Sequence, residues 1–192
     1  MPASDDEVVL FRDLCRILGK PPVYVLRLQK MLDLYVPSGD EGYRRAYVCF
    51  LEKIIAIRTF GISLGDIAEL FAKERRLLEL MRFDALSDSP TWYLDGCGRQ
   101  PRENGDCLLL SGYCLGFSID KPAYQPNLDF GRRDYHLFDG HEMGEDVYRS
   151  LRLYREQARK LCGRISQEIP VLRNALYWGE RYFEPVGTSV KG

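Results

Sequence analysis

Histidine is scarce. Only two occur in 192 residues, His136 and His141, and both sit in irregular sequence. No nucleophile–base pair, phosphate-cradling glycine loop or paired-carboxylate motif stands out, so an enzyme is not expected. Close cysteine pairs are missing as well. Cys15, Cys49, Cys97, Cys107, Cys114 and Cys162 are scattered, with no Cys-x-x-Cys among them. A zinc site usually shows at least one close pair, so Cys97, Cys107 and Cys114 with His136 and His141 are not read as a metal site. No cofactor is expected either. No run approaches the roughly 18 consecutive apolar residues that cross a bilayer, which argues against a membrane protein. The leading Met1-Pro2-Ala3-Ser4-Asp5-Asp6-Glu7 is acidic and polar, unlike a signal peptide. A cytoplasmic chain with reduced thiols is the expectation. Excess positive charge is also lacking: the net charge is −1, against the strongly basic balance that advertises many nucleic-acid binders.

What is present suffices for a folded core, since 45% of the residues are hydrophobic and 12% aromatic. Charge is unevenly spread. Between Lys20 and Arg58 seven Lys or Arg face four acids, a local balance of +3. Such a patch fits a few phosphate contacts.

The apolar spacing predicts a helix over Val9–Leu18, with Leu10, Leu14, Ile17 and Leu18 on one face. Gly19 ends it and Lys20-Pro21-Pro22 turns the chain. A second helix, Val23–Leu34, puts Leu28, Leu32 and Tyr35 on its apolar face, with Arg27, Gln29 and Lys30 off it. After Pro37-Ser38-Gly39-Asp40 and Gly42-Tyr43-Arg44-Arg45, a third helix runs from about Ala46 to Phe60. Gly61 suits a left-handed cap. Ser63 is placed as an N-cap with Asp66 at the third helical position, and Ile62 and Ile67 are spaced as a hydrophobic staple. The helix from Ser63 continues to Met81, and its Lys73-Glu74-Arg75-Arg76 cluster reads as a solvated face.

Leu26-Arg27, then Gly42-Tyr43-Arg44, then Gly61-Ile62-Ser63-Leu64 form an ordered set of short pieces. Together they resemble the DNA-binding domain of the MerR family of transcription regulators, over about Val9–Met81. The resemblance implies a winged helix-turn-helix, with Val23–Leu34 as recognition helix and Gly42-Tyr43-Arg44 as wing. It differs from the family in carrying Leu28-Gln29-Lys30 where two Tyr and a Glu usually follow Leu-Arg. The expected DNA-contacting set is Lys20, Tyr24, Arg27, Lys30, Tyr43, Arg44 and Arg45. The implied function is sequence-specific binding of double-stranded DNA, hence transcription regulation, as a homodimer. The alternative is a protein-interaction module that keeps the fold without binding DNA.

The expected fold class is therefore mainly α, in three parts. A winged helix-turn-helix spans 1–83, a small β-containing insert spans 84–140, and a helical dimerisation segment with a tail spans 141–192. Strand-like runs lie at Thr91–Leu94, Cys107–Ser111, Tyr113–Ile119 and Tyr135–Phe138, and Asn104-Gly105 signals a hairpin turn. Trp92, Tyr93, Tyr113, Phe117 and Tyr124 offer an aromatic lining for a small-molecule effector, against the plainer reading that they are the insert's own core. In the last part Val147, Leu151, Tyr154, Ala158, Leu161 and Ile165 recur at alternating spacings of four and three. That seam predicts a coiled coil between two subunits through Val147–Ile165, rather than packing within the chain. Pro170 ends or kinks the helix, and a shorter one follows over Val171–Phe183.

Overall fold

Glycine and aspartate set the ends of the first helices. In the computed structural model, which describes residues 8–97, 106–107, 110–112, 114–118, 137–139 and 145–163, a short strand β1 (Val8–Val9) leads into α1 (Phe11–Leu18). Gly19 closes α1 in the left-handed conformation: its N–H donates to the Arg16 carbonyl, and the Lys20 N–H to that of Cys15. The helix α2 (Pro22–Met31) begins on Pro22, whose missing N–H has no helical partner to lose. It stops three residues before the spacing predicts, because Asp33 turns left-handed, with φ 50°. Asp33 and Leu34 then repeat the closing pattern of α1, donating to the Lys30 and Gln29 carbonyls.

Strand β2 (Tyr43–Arg44) pairs antiparallel with β1, Val8 opposite Arg44 and Val9 opposite Tyr43. Gly42 precedes it with φ 65°, and a Cβ there would lie 3.1 Å from the Val8 Cβ and 3.2 Å from the Val9 carbonyl oxygen. Only glycine fits that crossing without displacement. The helix α3 (Arg45–Arg58) buries Tyr47, Val48, Phe50, Leu51, Ile54 and Ile57 at helical spacing. Gly61, with φ 85°, makes the corner, and the backbone N–H of Asp66 donates to the Ser63 hydroxyl at 3.1 Å to start α4 (Leu64–Leu80). Ile62 and Ile67 are both buried beside that cap, as the staple requires.

The core sits among α1 to α4. Leu14, Cys15 and Leu18 are the buried face of α1, whereas the expected Leu10 and Ile17 are exposed. Phe50 and Phe71 meet between α3 and α4 with ring centres 4.8 Å apart and planes tilted by 43°, and Leu14, Leu28, Leu51 and Ile54 are fully buried in the same core. Each such side chain contributes roughly 1.5–3 kcal/mol.

Beyond α4 the chain forms 3-10 turns at Phe83–Leu86 and Trp92–Leu94, the second where a strand is expected. Strands β3 (Asp106–Cys107) and β4 (Cys114–Ser118) pair antiparallel, and β4 pairs parallel with β5 (Leu137–Asp139). The chain turns at Leu110–Gly112, between β3 and β4, while Asn104-Gly105 lies outside the described residues.

The final described element, α5 (Glu145–Gly163), packs against α4. Tyr154 bonds Glu74 while Gln157, one turn on, lies beside Glu69, so the two helices run in opposite directions. Tyr154, Ala158 and Leu161 are buried there. The expected pairing of two subunits through Val147–Ile165 meets a competitor in this packing within the chain. Of that seam, Tyr154, Ala158 and Leu161 are buried and Val147 partly so, and α4 lies against the helix, with Glu74 supplying a partner that the spacing could not show. Ile165 lies outside the described residues, as does Val171–Phe183. No helix among the described residues is long and apolar enough to cross a membrane.

Candidate nucleic-acid interface

The two sides of α2 differ sharply. Val25, Leu28 and Gln29 are buried. Val23, Leu26, Arg27 and Lys30 are exposed, and at 3.6 residues per turn they form one stripe along the opposite side. Pro22–Met31 contains no acid.

Gln29 fixes this helix relative to β2 and α3. Sequence spacing puts it off the apolar face, yet it is only 1% exposed. Its Nε2 donates to the Tyr43 hydroxyl at 3.2 Å and to the Tyr47 hydroxyl at 3.0 Å. Tyr47 in turn donates to the Tyr35 carbonyl at 3.0 Å. One buried amide thus ties α2 to β2, to α3 and to the loop after α2. Burial holds the Tyr47 hydroxyl well above its ordinary pKa, so it remains a donor.

Tyr43, expected on the surface, is instead a core residue. It is 4% exposed, edge-on to Tyr47 at 5.0 Å and 6.1 Å from Phe11. Alternation along β2 explains this, since a residue facing the core leaves its neighbour facing out. That neighbour, Arg44, is exposed, as is Arg45.

Tyr24 is half-buried and works as a pedestal. The Arg58 Nη1 donates to its hydroxyl at 2.6 Å, and the Lys20 ammonium and Arg58 guanidinium each lie 5.6 Å from its ring centre. Arg58 joins the expected set only through this contact across 34 residues. Its place in the local basic run was the only sequence signal for it. Among the described residues, no carboxylate pairs with Lys20, Arg27, Lys30, Arg44, Arg45 or Arg58. The ion pairs found there involve Arg16, Lys73, Arg75 and Arg76 instead.

The loop before β2 is braced by Glu41. Its carboxylate accepts from the Tyr35 hydroxyl at 2.9 Å and the Ser38 N–H at 3.2 Å, which holds it below its ordinary pKa. A cleft of about 330 Å³ opens here, lined by Tyr35, Glu41, Arg44, Tyr47, Ser89 and Thr91.

The expected aromatic effector lining is not assembled among the described residues. Tyr93 is buried in the core, 6.0 Å from Phe71 and 5.5 Å from Trp92. The Arg75 guanidinium stacks on its ring at 4.3 Å, and its hydroxyl accepts from the Tyr35 N–H at 2.9 Å. Phe117 falls in β4, whose side chains lie outside the description, and Tyr113 and Tyr124 lie outside it altogether. Cys97 is a buried thiol that donates to the Leu110 carbonyl at 3.0 Å. Burial pushes its pKa up to about 12, so it is no thiolate at neutral pH.

The Lys73–Arg76 cluster also needs correction. Lys73 pairs with Glu69 at 2.6 Å on the surface, but Glu74 is fully buried. Its carboxylate accepts from the Leu110 N–H at 3.1 Å, the Ser111 N–H at 2.6 Å and the Tyr154 hydroxyl at 3.2 Å. Burial raises its pKa against those donors and nearby Lys53. Lys53 itself donates to the Leu110 carbonyl at 3.2 Å. Next in the turn, Gly112 has φ 73°, and a Cβ there would meet the Gly96 carbonyl oxygen at 2.5 Å.

Comparison of the chain with family models, curated proteins and solved structures finds no match.

Proposed function

We propose that the chain binds double-stranded DNA as a transcription regulator, on a winged helix-turn-helix of the MerR type. The exposed stripe of α2 enters a major groove, and the β1–β2 wing lays Arg44 and Arg45 along the adjacent backbone. Lys20 and Arg58, steadied on Tyr24, take a phosphate at the entry to α2. The observation that carries this reading is the set of cations without carboxylate partners among the described residues, on a helix and a wing joined by the buried Gln29 amide. A palindromic site calls for two copies, and the burial of Tyr154, Ala158 and Leu161 within the chain favours another surface for that pairing.

The test is an electrophoretic shift titration against random duplex at low and then rising salt. Binding is expected at low salt, weakening linearly in log–log form, with a shallower slope for Arg27→Ala or Arg44→Ala. No shift at the lowest salt ends the reading. The exposure of Val23 and Leu26 favours a second reading, in which the same helix face meets a protein partner. That reading predicts no duplex binding in the same titration.

A further inference from the structure

The cations of α2 share their stripe with two aliphatic side chains that the fold leaves uncovered. Val23 is 78% exposed and Leu26 48% exposed, on a helix whose opposite side is well buried. Helical geometry puts Arg27 about one turn from Val23 and Lys30 about one turn from Leu26, so apolar and cationic groups share a narrow strip. An occupant must offer negative charge and small apolar groups at the same spacing. A duplex major groove does so: phosphates border it, and each thymine presents a C5-methyl group there.

We infer that Val23 and Leu26 read thymine methyl groups, making them specificity-determining residues of the α2 surface. The inference rests on the DNA-binding reading above. Arg27, on the same strip, has the reach and fork geometry to take a guanine O6 and N7. The expected target is thus a mixed step, thymine-bearing pairs flanking a guanine, and not a uniformly G·C-rich site. Uracil lacks the methyl, so the same surface also favours DNA over RNA.

The experiment changes the DNA and leaves the protein whole. Duplexes bound by the full chain are selected from a random pool, and the winning sequence is remade with deoxyuridine at each thymine. Each methyl read by an aliphatic side chain is expected to carry about fourfold in affinity, the value of one buried CH2 group. Full substitution should therefore weaken binding severalfold, and single substitutions should map the loss to the bases under α2. A Val23→Ala, Leu26→Ala double variant should bind the thymine and uracil duplexes alike. Both positions are exposed, so its fold is checked simply by circular dichroism.

Equal binding of the two duplexes by the unchanged protein overturns the inference while leaving DNA binding intact. Failure to shift any duplex at low salt removes the DNA reading itself. Self-association or retention on liposomes that Leu26→Ala abolishes, with equal affinity for both duplexes, gives the stripe to another occupant and overturns the inference too.

Discussion

Two amphipathic helices meet opposite fates in this molecule. The face of α5 that carries Tyr154, Ala158 and Leu161 is covered by α4. The outer stripe of α2, with Val23, Leu26, Arg27 and Lys30, is left open. Each helix is positioned by one buried polar side chain, but of different kinds. Glu74 is a carboxyl group that gathers donors from later in the chain, whereas Gln29 is an amide that ties α2 to β2 and α3. A heptad-like seam and an exposed basic face look equally available in sequence. Only the positions of their buried partners show which one the fold has already used. Binding is therefore to be sought on α2.

The comparison breaks most readily at Glu74. Glu74→Ala leaves two backbone N–H groups and a tyrosine hydroxyl without their acceptor and should lower stability by roughly 3 kcal/mol. An unchanged urea midpoint would mean that α5 is held by something else. Gln29→Ala should cost about 1–2 kcal/mol and weaken duplex binding although no cation is removed. Intact affinity in a gel-shift titration of that variant would show that the wing and α2 need no such tie.

A smaller effect is expected from pH. Burial raises the folded carboxyl of Glu74 above its ordinary value of 4.5, so between the two values the folded chain holds a proton that the unfolded chain releases. Stability from this group is complete below 4.5 and is lost as pH rises through the folded value. Wild type should gain on Glu74→Gln as pH falls towards 4.5 in paired urea melts, and the opposite trend would reverse the assigned cause. Least affected of all should be the stability of Arg27→Ala and Lys30→Ala, within about 0.5 kcal/mol of wild type. Their duplex affinity should still fall, with the salt slope reduced by about 0.9 for each phosphate contact removed.

Much of the α1–α4 region was legible in the sequence because its signals are local. Gly19, Gly61, Ser63 and the Ile62–Ile67 pair act within a few residues, and each does what its spacing predicts. The end of α2 was misplaced because Asp33 adopts a left-handed turn that its side chain tolerates but does not demand. The site was half legible. Arg27, Lys30, Arg44 and Arg45 are exposed as expected, while Tyr43 lies on the inward side of a two-residue strand too short to show alternation. Gln29 and Glu74 were the main losses. A polar residue inside a charged or mixed run reads as solvated, and its burial depends on partners as distant as Tyr154.

That distance bears on how the chain matures. The helices α1 to α4 leave the ribosome before Leu110, Ser111 and Tyr154, the groups that satisfy Glu74. Until those arrive, α4 is expected to be held less firmly around Glu74 than in the finished chain. A fragment cut at Phe83 would lack all three donors to Glu74, and its urea midpoint is expected to fall below that of the whole chain.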